Sequence, residues 1–146
     1  MRTWILGALF CACTTPPEPT PPVGPPASGE LVGSWSLTVE SHRLTGKRYG
    51  MPANLFTLEL GEGESARWAD LPAPLWRAGA DVLAREEGSG TWETAERAGR
   101  WQVIVRDASG EHLVGIWDTP QGRTLALDEV GAAADVDRRL WLVRAP

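Results

Sequence analysis

Acid–base and nucleophilic chemistry need a titratable side chain within hydrogen-bond reach of the reacting group, and the histidines on offer are His42 and His112. Neither stands in an HxxxH or HExxH spacing, so neither has a second imidazole one helical turn away with which to share a zinc ion. Both are expected at the surface. The two cysteines, Cys11 and Cys13, sit together near the N-terminus and leave the rest of the chain without a thiolate. Asp135 and Asp137, in GAAADVDRR, supply too few oxygens for a calcium loop, which also needs a distal glutamate; they read as an acidic turn. Glu86 with Glu87, and Glu93 with Glu96, are pairings common on solvated faces. GEGES and GSG lack the Lys-Ser/Thr that completes a phosphate loop and read as hairpin turns. From these residues we expect no catalytic residue, no metal site, no cofactor and no enzymatic activity.

A chain of 146 residues, 42% hydrophobic and 23% charged, is sized for one core. Its net charge of -5, with no Lys/Arg run, offers nothing for a phosphate backbone to rest on, so nucleic acid is not an expected partner.

The N-terminus has the layout of an export signal: Arg2, then an apolar run from Ile5 to Ala12. That run falls short of the about 20 residues needed to cross a bilayer as a helix. Small Ala12 precedes Cys13, whereas bulky Phe10 precedes Cys11, so cleavage is expected ahead of Cys13, with residues 1–12 as the signal peptide. The stretch LFCAC resembles a bacterial lipobox. That resemblance implies acylation of Cys13 by palmitate-type chains and anchorage to a membrane of the cell envelope. Thr14, standing where an aspartate would retain the protein in the inner membrane, points to the outer one. Each buried acyl CH₂ contributes about 0.8 kcal/mol, and stable attachment takes two chains or more. The competing reading is a non-lipidated secreted protein whose cysteines form a disulfide or stay as spare thiols. Residues 13–29 read as the lipid-anchored linker, in which Cys13 is followed by TTPPEPTPPVGPPASG (residues 14–29), an extended spacer of roughly 50 Å. A ligand for a proline-binding module is the alternative use. Folding is expected over residues 30–146.

From Glu30 onward the dominant signal is alternation. In ELVGSWSLTVE, Leu31, Gly33, Trp35, Leu37 and Val39 share a face, as expected of a half-buried strand. The period recurs at Phe56, Leu58 and Leu60; at Trp101, Val103 and Val105; at Leu113, Gly115 and Trp117; at Leu125 and Leu127; and at Leu140 and Leu142. SARWAD and SGTWET are shorter candidates, and GEGES, EEGSG, ERAG, DASGE and TPQG read as turns between strands. Roughly eight short strands predict an all-β, antiparallel sandwich or barrel, and the short connections favour sequential hairpins, as in an up-and-down β-barrel. One segment breaks the pattern: in residues 71–88, Leu75, Gly79, Val82, Leu83 and Glu86 fall at helical spacing, which predicts a short helix or a long ordered loop, while ADVLARE could equally be a strand.

Gly-x-Trp occurs four times, at Gly33-Trp35, Gly90-Trp92, Gly99-Trp101 and Gly115-Trp117, at spacings too irregular for a repeat protein. Glycine relieves crowding where strands bend and tryptophan fills volume. The same indoles could instead line a ligand site, with Trp92, Trp101 and Trp117 as candidates. LVGSWSL at the start of the domain and RLWLVR at its end resemble the calycin and lipocalin-like barrels. That resemblance implies that Gly33 and Trp35 form the first-strand motif and that Arg144 covers the Trp35 indole, a cation–aromatic contact of about 0.5–2 kcal/mol. The chain is then expected to be a lipid-anchored envelope lipoprotein whose barrel binds a small apolar molecule, a lipid or a cell-wall component. The alternative is a protein-binding module, such as an inhibitor of a periplasmic hydrolase.

Overall fold

The computed structural model describes residues 18–50, 56–131 and 138–146. The expectations for Cys11, Cys13, Asp135 and Asp137 lie outside them.

The chain forms a closed antiparallel barrel of eight strands in sequence order, lipocalin-like as expected. A short helical turn, α1 (Ser28–Leu31), leads into β1 (Gly33–Leu37); α2 (Val39–Tyr49) follows. Then come β2 (Thr57–Leu60), β3 (Ser65–Pro72), β4 (Arg85–Arg97), β5 (Arg100–Asp107), β6 (Gly110–Thr119), β7 (Gly122–Leu127) and β8 (Leu140–Arg144). Each strand pairs with the next, and β8 returns to β1 with Trp35 opposite Arg144 and Leu37 opposite Leu142. Inward rows carry the apolar side chains: Val103, Val114, Leu125, Leu127, Leu140 and Leu142 are each at 0% exposure. Burying a side chain of this size contributes about 1.5–3 kcal/mol relative to leaving it in water.

The end of the barrel bearing α1 is held by the first and last strands together. The Arg144 guanidinium lies over the Trp35 ring, 5.3 Å from its centroid, and donates to the carbonyl of Glu30. The Trp35 indole N–H donates to Leu31 O at 3.0 Å. A Cβ at Gly33 would stand 3.5 Å from Arg144 Nε, in ordinary contact, but Gly33 has φ +146°, a backbone angle that side chains disfavour.

The structure departs from the sequence reading in three places and decides a fourth. β1 stops at Leu37, and Val39, expected to face inward, opens α2 at 73% exposure. Thr38 caps that helix by accepting from Ser41 N at 3.2 Å, and Gly50, with φ 72°, ends it in the left-handed region. Residues 73–84 form the ordered loop and neither the helix nor the strand: Ala73–Leu75 make one 3-10 turn, turns follow, and β4 begins only at Arg85. Gly79, at φ 71°, breaks any helix there, and Val82 and Leu83 are exposed. EEGSG is part of β4 and not a turn, because its glycines admit close neighbours. A Cβ on Gly88 would meet the Trp68 indole at 2.8 Å, and one on Gly90 would meet the Arg106 carbonyl. On β6 the inward residues are His112, Val114 and Ile116, so Leu113, Gly115 and Trp117 point out. HLVGIW is apolar in both phases, and alternation alone could not choose between them.

Part of the expected spacer lies against the barrel. Thr20 bridges Asp118 at the end of β6 through two backbone hydrogen bonds of 3.0 and 2.8 Å, and Pro22 and Pro26 are buried.

Arg144→Ala removes the cation from the indole face and the donor from the Glu30 carbonyl. A loss of about 1–2 kcal/mol in unfolding free energy is expected by urea titration at unchanged m. Arg144→Lys should restore only part of it, since an ammonium lacks the planar fork.

Candidate functional site

Two of the three tryptophans expected to line a ligand site border the same groove. Inside the barrel, Trp92 is 4% exposed, and its indole N–H is already used, donating to Gly61 O at 3.0 Å. Trp101 packs partly buried against the core and also borders a groove of about 380 Å³ that Trp117 lines as well. Gly33, Trp35 and Arg144 belong to the seam at the barrel end and not to this groove.

At the other end of the barrel, Trp76 follows the 3-10 turn and folds over the mouth. Its ring lies 5.6 Å from Trp68 and stacks on His112 at 4.5 Å with a 7° interplanar angle. His112 is therefore only 6% exposed, contrary to its expected surface position. His42 is half-buried on α2. Aromatic bodies fill the space an open calyx would leave.

The groove is built on the outward face of β6. Gly115 leaves space for the Trp117 indole to lie across the sheet: a Cβ there would stand 2.9 Å from Trp117 Nε1. The indole is flanked by two cations, Arg139 at 4.6 Å and Arg100 at 5.0 Å from its centroid, with Trp141 edge-on at 5.8 Å. Arg139 is 4% exposed and neutralised by Asp128, Nε to Oδ1 2.9 Å. Leu113 and Val130 line the same groove while 48% and 43% exposed. Shape, apolar wall and a few fixed charges are the ingredients of a small-molecule site.

Asp107, Ser109 and His112 also converge, and their geometry decides what they can do. His112 Nδ1 faces the Trp76 carbonyl at 3.2 Å, an acceptor only, so this nitrogen carries a proton. His112 Nε2 then faces both Asp107 Oδ1 at 3.2 Å and Ser109 Oγ at 3.3 Å. The Ser109 hydroxyl donates to Asp107 at 2.6 Å. A serine–histidine–aspartate relay requires the carboxylate and the hydroxyl on opposite nitrogens; here they share one. The cluster organises the β5–β6 turn. Among the described residues, no three His, Cys, Asp or Glu side chains converge as a metal site.

Sequence reasoning named Trp117 and Trp101 but passed over Arg100, Arg139, Leu113 and Trp76. The last could have been suspected from its place after two prolines. The arginines carry no local signal, since what distinguishes them is a neighbour on another strand. No protein-family model, curated protein or solved structure matches the chain.

Burial opposes ionisation of Asp107, but the Ser109 hydroxyl and amide, and then His112, outweigh it and hold the carboxyl below its ordinary 3.8. A group whose pKa is lower folded than unfolded adds stability above the unfolded value and loses it as pH falls through the folded one. Urea midpoints are expected to fall below about pH 4. Asp107→Asn should be less stable at neutral pH and show a shallower fall in acid.

Proposed function

We propose that this chain is a lipid-anchored binding protein of a bacterial cell envelope, built on a calycin-type barrel. Its ligand is a small apolar molecule, a lipid or a cell-wall component. The anchor rests on the N-terminal layout, with Cys13 acylated and the outer membrane as destination. The groove over Trp117 carries the binding assignment: a concavity of about 380 Å³ that keeps Leu113 and Val130 partly in water. Exposed apolar surface gathered in a concave site favours an occupant. The aromatic filling of the barrel mouth favours the outer groove over an interior calyx as the place of binding. The shared nitrogen in the Asp107–Ser109–His112 cluster favours binding over catalysis.

Titrating the protein with dodecyl maltoside below its micellar concentration is expected to change tryptophan emission saturably, with Leu113→Asp weakening the response several-fold, about what losing a half-buried leucine contact costs. Stoichiometric capture of an envelope hydrolase, with no small-molecule response, would move the reading to the inhibitor alternative. In a bacterial host, Cys13→Ser should abolish labelled-palmitate incorporation and release the protein from the membrane fraction. Retention of the label by this variant would sink the anchor.

A further inference from the structure

We infer that the groove over Trp117 takes a single-chain amphiphile with one anionic head group, held by Arg100. This rests on the binding reading above and narrows its ligand class.

The argument is one of charge balance. Three carboxylates line the groove, and each has a partner. Glu111 is met by Arg106 at 3.0 Å and Arg97 at 3.3 Å, Asp128 by Arg139 at 2.9 Å, and Glu129 by Arg138 at 3.5 Å. Of the two groove arginines, Arg139 is accounted for by Asp128. Arg100 forms no ion pair among the described residues; its contact is the Trp117 face, 5.0 Å away. Among the described residues, one positive charge in the groove is thus left without a carboxylate partner.

A solvated surface arginine is common and needs no ligand. Arg100 differs in its setting. Its guanidinium rests on an indole that is itself 9% exposed and that Arg139 also contacts, 4.6 Å from the ring centroid. The fork is thereby held at the groove wall and leaves its N–H donors available at low entropic cost, the arrangement suited to two-pronged recognition of a carboxylate or phosphate. Leu113 and Val130, in the same lining, offer the apolar surface that an alkyl chain would cover. A cationic head group would face Arg100 unfavourably, and a neutral one would leave it as it is.

The test compares four probes of equal chain length, each below its micellar concentration at about pH 8, where an unperturbed carboxylate is ionised. These are dodecanoate, dodecyl phosphate, dodecanol and dodecyltrimethylammonium, measured by calorimetry with tryptophan emission as a second readout. Dodecanoate, dodecyl phosphate or both should bind about tenfold more tightly than dodecanol, as expected for one charge-assisted contact, and the ammonium probe more weakly still. Which anion binds better separates a carboxylate source from a phosphate one. Arg100→Gln should erase the preference while leaving dodecanol affinity nearly unchanged. Arg43→Gln, on the exposed face of α2, should keep it. Equal affinities for charged and neutral probes, a preference that survives Arg100→Gln, or its loss in Arg43→Gln would each overturn the anionic class while leaving the groove as a binding site. Absence of binding by all four probes would overturn the groove reading itself.

Discussion

Closure of the barrel depends on one register: β8 must find β1 with Trp35 opposite Arg144. The two strands meet only after the whole chain between them has been laid down, so their pairing carries the largest loop-closure cost in the fold. Several contacts concentrate at this seam to meet it. Arg144 covers the indole and bonds the Glu30 carbonyl, Trp35 bonds Leu31, and Arg123 reaches Glu30 from β7. α1 is held there by the barrel more than by its own helical bonds, since a four-residue helix cannot stand alone.

The four Gly-x-Trp pairs are alike in letters and different in physics. At Gly33 the missing side chain leaves Arg144 in ordinary contact beside a positive φ, and at Gly90 it admits a carbonyl from β5. Gly99, at φ 74°, makes the β4–β5 turn. Gly115 makes way for its own neighbour's indole, which turns Trp117 into the floor of an outer groove where it could have been a core residue. Motif spelling indicated that these positions matter; only the backbone angle and the facing strand say how.

Most strands and their order were legible because turn residues bound them and because rows such as Phe56, Leu58 and Leu60, or Leu125 and Leu127, are apolar at period two. α2 was not legible by periodicity, since the residues it buries are Ser41, Thr45 and Tyr49 and no apolar stripe marks its face. Its caps, Thr38 and Gly50, stand in the sequence, but Thr38 lies near the end of an alternating run whose period also takes in Val39. The phase of β6 was hidden because Leu113, Val114, Ile116 and Trp117 are apolar on both faces. For the groove, the aromatic half could be read and the charged half could not: the balance that singles out Arg100 is a sum over charges on five separate segments.

The bridge between Thr20 and Asp118 bears on reach. With Cys13 as the lipidated residue, as proposed, only seven residue steps separate the acylated position from Thr20, which among the described residues bridges to the barrel. Even fully drawn out, that leash spans about 25 Å at most, half of what the proline-rich run promises on paper. Such a barrel hugs its own leaflet: it can meet a molecule leaving that bilayer, but it cannot patrol the opposite side of the compartment.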